Sequence, residues 1–433
     1  MASTAAPSVS SDLLRCEPDV DTAPQMDAEP GSDVPESLMG ALPTELLLQV
    51  LSLLPTEALS YGGAVRNVCR RWRRATECAS PWRHRDLVWS SSPRDRDLFL
   101  RAAVVAPELR AVTFQPGVHV PECILQGCSR VRHLSLTSNG VCPSEDVVLA
   151  LVQQYSARAE TLRLEGNLSR AVSTAVLHAV AACRQLRSLR LAGTLRLPGD
   201  GAAAVAVLQA LAKGCPGLRE LDVERLSDWG PRLVAEVAAA KGTQLTSLVL
   251  PGRQSVVDDK VLQLVASSCG GLSALGADYA DAVAVVGHLP GLRSLRLWYS
   301  YSAPDPVVLH QLAARGRQDA VSANLARLEH LSVELATETK FVELVLGACS
   351  SLRSLRLSGD FLARQVDVLL AAAPYTVEHL ECCSFSLAGR DAWVIRGRLP
   401  RLRAAVLNGV ACSVTAQRPG SATLTVHHCP PPE

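Results

Sequence analysis

Fourteen cysteines are the side chains of this sequence best suited to chemistry, since thiolates attack electrophiles, exchange disulfides and bind zinc. Their spacing argues against all three. No Cys-x-x-Cys pair occurs, and Cys128, Cys183, Cys215, Cys269 and Cys349 each stand three residues before an apolar hexamer. Cysteines tied to one register behave as small buried apolar residues, so these five are expected in the core. The run "HHC" at 427–429 offers ligand-type residues beside "PPPE", and we read it as an incidental match. There is no phosphate-cradling Gly-rich loop, no His-Glu-x-x-His and no nucleophile motif. The sequence therefore predicts no catalytic residue, no metal and no cofactor.

What remains is binding chemistry, and it rests on a repeat. The hexamer "LRSLRL" occurs at 186–191, 292–297 and 352–357, with looser copies starting at 109, 131, 159, 218, 245, 272, 328, 377 and 402. These twelve starts lie mostly about 20 to 32 residues apart, the range of leucine-rich repeats and slightly beyond it. In Leu-x-x-Leu-x-Leu the last two leucines share one side of a short strand. Between the hexamers, stretches such as "DDKVLQLVASS" carry apolar residues at helical spacing. One strand–helix unit cannot bury both of its apolar faces, so the units must stack into a curved solenoid with strands on the concave face and helices on the convex one. The composition and register resemble the helix-containing leucine-rich repeats, particularly the cysteine-containing subclass. Leu272 to Leu292 is a short interval and Leu292 to Leu328 a long one, so the stack is expected to be disturbed there.

The fifth residue of each hexamer points out of the concave sheet. It is Arg163, Arg190, Arg296 and Arg356 in four repeats and Asp222 or Glu381 in two others. Arginine also recurs at the second position. The pattern predicts a basic concave stripe suited to acidic or phosphorylated partners, or else a solvated face. Aromatics make up 4% of the chain, yet Trp298, Tyr299 and Tyr301 cluster in "LWYSYS" just after a strand. They are candidate anchors for a target protein, the alternative being plugs for the irregular repeats.

Ahead of the repeats, "ALPTELLLQVLSLLPTEALSYGGAVRNVCRRWRRATECASPWRHRDL" (41–87) reads as three short helices. Pro43 suits a first helical turn. Leu42, Leu46, Leu47, Val50, Leu51 and Leu54 follow, on a face too broad for one neighbour to cover. Pro55-Thr56 starts a second helix. Val65, Val68, Cys69 and Trp72 then fall at amphipathic spacing opposite Arg66, Arg70, Arg73 and Arg74. So small a unit is expected to be completed by a partner or by the next domain.

These residues resemble an F-box: Leu42-Pro43, Glu45-Leu46-Leu47, Val50-Leu51, Leu54-Pro55, Val68-Cys69, Arg71-Trp72-Arg73, Trp82 and Leu87 match its pattern. One departure is "SYGGA" (60–64), which adds about three residues between the second and third helices. The resemblance implies a non-catalytic substrate-receptor subunit of a Skp–cullin–F-box ubiquitin ligase, which directs targets to ubiquitination and proteasomal degradation. It implies as partners a Skp-type adaptor, through it a cullin and a RING subunit, and a target protein held by the repeats. Carried over residue by residue, Leu42, Pro43, Leu46, Leu47, Leu51, Leu54 and Pro55 would bear on the adaptor. Val68, Cys69 and Trp72 would hold the third helix and part of that surface, the alternative for Val68, Trp72 and Trp82 being only the packing of the three helices or their join to the first repeat. A ligase-independent repeat scaffold or inhibitor is the alternative.

The expected fold is thus α/β. Residues 1–39 are an acidic disordered tail, 40–88 the F-box, 89–415 the solenoid and 416–433 a cap or tail. Residues 1–40 carry eight acidic side chains against Arg15 alone, too polar a stretch to offset the entropy of ordering. The net charge of +1 predicts no general attraction to nucleic acid or membrane. With neither a signal-like opening nor a membrane-length apolar run, a cytoplasmic or nuclear location is expected.

Overall fold

The computed structural model describes residues 42–54, 56–59, 65, 68–76, 82, 86–89, 92, 111–114, 131–138, 145–166, 173–192, 201–226, 229–252, 257–298, 318–335, 339–359, 363–382, 398–407, 410–415 and 423–427. Each of the twelve hexamers becomes a strand. These are β2 (Ala111–Phe114), β3 (His133–Ser138), β4 (Thr161–Gly166), β5 (Ser188–Leu191), β6 (Glu220–Asp222), β7 (Ser247–Val249), β8 (Ala274–Asp278), β9 (Ser294–Trp298), β10 (His330–Leu335), β11 (Ser354–Gly359), β12 (His379–Cys382) and β13 (Ala404–Leu407). A strand β1 (Asp86–Trp89) precedes them, and β14 (Val410–Thr415) and β15 (Thr423–His427) follow.

All the described strands form one sheet in strict sequence order. Pairing is parallel from β1 to β13, and β14 and β15 close the end as an antiparallel hairpin. The hexamers stack in register, so that Leu162, Leu189, Leu221 and Leu248 form one rung of the core. Leucines at hexamer positions one, four and six are almost wholly buried along the array, as Leu186, Leu189 and Leu191 are in β5. Positions three and five face outward, the alternation that a pleated strand imposes.

Between strands run helices that pack on one another in the same order. They are α3 (Glu145–Tyr155), α4 (Thr174–Ala181), α5 (Gly201–Gly214), α6 (Gly230–Lys241), α7 (Asp259–Ser268), α8 (Tyr279–Val286), α9 (Gln318–Leu325), α10 (Thr339–Ala348) and α11 (Ala363–Ala372). Side-chain caps satisfy the free amides of two of them. Ser173 Oγ accepts from Val176 N ahead of α4, and Asp258 Oδ1 from Lys260 N ahead of α7. Gly214 lets α5 approach α4, because a Cβ there would run into the carbonyl of Ala181.

Cys183, Cys215, Cys269 and Cys349 are buried in the helix-to-strand turns, and Cys128 lies outside the described residues. The Cys215 thiol donates to the carbonyl of Val180 in the previous repeat (3.4 Å). Burial pushes Cys183 and Cys349 up to about 12, and Cys215 and Cys269 up to about 11. They stay protonated and inert at neutral pH. Brief treatment of the native protein with iodoacetamide should label Cys69, which is exposed, and spare these four until the chain unfolds. Peptide mass mapping reads the difference.

The expected disturbance near residues 272–328 does not reach the sheet. Gly276, Arg296 and Ser332 remain aligned across β8, β9 and β10. The short interval is met by a short helix, α8, and the buried Asn324 amide of α9 donates to the Val286 carbonyl (2.9 Å). β1 straddles the boundary expected at residue 88. It pairs with β2, so the segment ahead of the repeats is joined to the solenoid through the sheet itself.

Candidate functional site: an exposed apolar helix stripe and a charged concave face

Ahead of the sheet stand α1 (Thr44–Leu53), a 3-10 turn over Thr56–Leu59, and α2 (Arg70–Thr76). Pro43 sits just outside α1, and its carbonyl accepts the first helical bond from Leu47 N (3.0 Å). The breadth of the apolar face has a simple cause: α1 carries two stripes. Leu47 and Leu51 are buried with Leu59, Trp72 and Trp82, and Leu48 and Leu54 pack partly against this core. Leu46, Val50 and Leu53, spaced i, i+4 and i+7, face outward, with Leu53 85% exposed.

Arg71 Nη2 donates to Thr44 Oγ1 (3.2 Å) and ties α2 to the start of α1. Trp82 Nε1 donates to the Thr76 carbonyl (2.8 Å), anchoring the end of α2 near β1. Three of the residues expected on the adaptor surface are corrected by this geometry. Leu47, Leu51 and Trp72 are interior, because the three helical pieces need them as their shared core. Leu42 and Leu54 are half-buried, while Pro43 and Leu46 are exposed.

The amphipathic stripe expected over Val65–Trp72 is also broken. α2 starts only at Arg70, which leaves Val65 buried and puts Val68, 51% exposed, and Cys69 on the surface. Pro55 falls outside the described residues. Val50 and Leu53 were absent from the expected contacts. The signal for them was present in the wheel positions of Leu46, Val50 and Leu53, a turn-spaced set offset by one residue from Leu47 and Leu51.

On the concave face, the arginines expected to form a basic stripe are mostly neutralised. Arg190 pairs with Glu165 (2.9 Å) on β4 and with Asp222 (3.2 Å) on β6. Arg296 pairs with Glu224 (3.0 Å), and Arg356 lies 3.5 Å from Glu381. The carboxylates Asp222 and Glu381, which interrupt the row in sequence, are the partners of their neighbours in space. Register places them one strand away at the same height. Arg163 is the exposed fifth-position arginine with no carboxylate partner among the described residues.

Trp298 is corrected more sharply: it is 1% exposed. Its indole lies against the backbone of β8 at Gly276, where a Cβ would be 3.0 Å from Cζ3, and it reaches toward Gly252. The Arg296 guanidinium lies over the ring, 5.7 Å from its centroid. It is therefore a plug for the sheet between β7 and β9 and not an open anchor. Tyr299 and Tyr301 lie outside the described residues.

Just after β8, Asp281 in the first turn of α8 is pushed up to about 7 by burial, then by Asp278 and Asp259. The folded state thus holds this proton more tightly than the unfolded chain does. The resulting stability is full below about pH 4 and is lost as pH rises toward 7. Asp281→Asn should melt several degrees above the parent at pH 8, and the difference should shrink steadily toward pH 4.5 in thermal scans.

Among the described residues no group of three or more His, Cys, Asp or Glu side chains could hold a metal ion. No described helix is long and apolar enough to cross a membrane. Residues 39–88 match the F-box-like family, so an F-box-like domain leads into the leucine-rich-repeat solenoid. No curated protein matches the chain. Solved structures similar to it include an internalin (InlF) from Listeria monocytogenes (16% identity, 84% of this chain and 87% of that one, TM-score 0.35). The leucine-rich-repeat protein LegL7 from Legionella pneumophila is another (14% identity, 74% and 97%, TM-score 0.40). A third is a yeast complex of Rad7 and Elc1 (13% identity, 72% and 87%, TM-score 0.41). The fold assignment stands on the sheet register and buried leucines described above.

Proposed function

We propose that this chain is a substrate receptor of a Skp–cullin–F-box ubiquitin ligase, with α1 docking the Skp-type adaptor and the solenoid holding the target protein. The observation that carries the reading is the outward stripe of Leu46, Val50 and Leu53, set on the first helix of the segment that matches the F-box-like family. Three large apolar side chains on one exposed helix face suit burial against a partner. Leu42, Pro43 and Leu54 border that stripe in sequence, and Val68 and Cys69 add exposed surface before α2.

On this reading the chain performs no bond-making step. Adaptor, cullin and RING subunits supply the ubiquitin transfer. This chain contributes proximity, with β1 paired to β2 and Trp82 bonded to the end of α2 between the docking helices and the solenoid. A target on the concave face, at Arg163, Arg190, Arg296 or Arg356, would then be held at a fixed offset from the ligase. Tyr299 and Tyr301 remain candidate contacts by sequence. Proteasomal degradation of the target is the expected consequence.

The test is reconstitution. The intact purified chain, mixed with a Skp-type adaptor and the N-terminal part of its cullin, should co-elute with both in size-exclusion chromatography. Elution of the folded chain alone, with the adaptor free, would sink the proposal and leave a repeat scaffold that binds proteins without a ligase.

A further inference from the structure

Most charges at the entry edge of the sheet are paired along the edge. Residues one position ahead of each strand stack as a row, with Arg187 N bonded to the Glu160 carbonyl and Arg219 N to that of Arg187. Arg132 pairs with Glu160 (3.0 Å), Arg293 with Glu329 (3.7 Å) and Arg403 with Glu378 (3.5 Å). The stretch at β5 and β6 differs. Arg184, Arg187, Lys213 and Arg219 precede these two strands in the chain, in the turns and helix end that lead into them, all four exposed and without a carboxylate partner among the described residues. Glu220 is the exposed acid among them. A second exposed set, Arg353, Arg398 and Arg401, lies farther along the array ahead of β11 and β13.

One segment of this chain has the opposite charge. Residues 1–40 hold eight of the 42 acidic side chains and one of the 43 basic ones, so the remainder of the chain is correspondingly cationic. Reach does not limit a contact. The fifteen residues from Asp27 to Leu42 span up to about 50 Å when extended. Four strand spacings separate β1 from β5, about 19 Å.

We propose that the acidic N-terminal segment docks on the Arg184–Arg187–Lys213–Arg219 edge of its own chain. The tether raises its local concentration to about the millimolar level, which makes even a weak, salt-sensitive contact populated. The contact itself does not depend on the receptor reading above.

The probe is a fluorescein-labelled peptide of residues 11–38, read by anisotropy against the full-length chain. A second full-length chain has the acids at positions 12, 17, 19, 21, 27, 29, 33 and 36 replaced by their amides. The amide chain should bind the peptide at least about tenfold more tightly than the parent, whose edge is already occupied by its own tail. Adding Arg184→Glu, Arg187→Glu and Arg219→Glu to the amide chain should remove that binding, as should raising salt from 50 to 500 mM. Adding Arg353→Glu and Arg401→Glu, exposed arginines at the far end of the solenoid, should leave it in place. An Arg→Gln version of the triple variant guards against a folding defect, with circular dichroism alongside.

Equal peptide binding by parent and amide chains overturns the inference. So does an equal loss from the far-end pair, which would mean net charge alone. Binding of an unrelated phosphoserine peptide to the amide chain, with none of the tail peptide, would assign the edge to an external anionic segment and also overturn it. Adaptor capture, read on the same chains, separates a failure here from a failure of the receptor proposal.

Discussion

Replacing Leu46 and Leu53 together by aspartate should abolish capture of the Skp-type adaptor while leaving the melting temperature of the chain almost unchanged. Both side chains point to solvent in the free protein, so their loss removes little from its own core. Burying two such leucines against a partner is worth about 3–6 kcal/mol, and a desolvated carboxylate adds a further cost. The expected loss of affinity is therefore about a hundredfold or more. Leu51→Ala should do the reverse. That side chain is fully buried between α1 and the rest of the unit, and truncation should cost about 2–5 kcal/mol. Adaptor binding would then fall only as far as the unit unfolds. Titration calorimetry and thermal melts of the two variants, side by side, decide it. If Leu46→Asp/Leu53→Asp captures the adaptor as well as the parent does, the outward stripe is not the docking face.

The second large effect is expected at Trp298. Trp298→Ala should cost about 3–5 kcal/mol, since it empties the space between Gly276, Gly252 and Val249 and removes the ring beneath Arg296. In a repeat array the damage stays with the neighbours. Amide exchange should accelerate over β7 to β9 and much less in β3 or β12. Arg296→Met should also lower the melt, because it leaves the Glu224 carboxylate, 12% exposed, without its counter-charge. A Trp298→Ala protein that exchanges like the parent would mean the indole is not a structural plug, and its sequence-based role as a target anchor would return to contention.

Much of this architecture was legible from spacing. Leu-x-x-Leu-x-Leu determined where twelve strands begin, and its period of two settled which side chains are core. Those are local rules, which neighbouring residues enforce on one another. The cysteine register was legible for the same reason, because a position buried in one repeat is buried in the next. The match of 41–87 to a docking module was legible as a pattern of residue types.

Three things needed the tertiary structure. Leu46 and Leu47 are the same residue type one position apart, and only the packing of α2 and Trp82 against α1 decides which of them meets solvent. Arg163 and Arg190 occupy the same hexamer position, yet among the described residues Arg190 has carboxylate partners and Arg163 has none. The deciding carboxylates come from the strands on either side, Glu165 on β4 and Asp222 on β6. Trp298 follows a strand end, where sequence suggests display. Two glycines from earlier repeats open the space that buries it. In each case the sequence determined the residue type and its height on the sheet. Exposure and charge balance were decided by neighbours that only the stacking of repeats brings together.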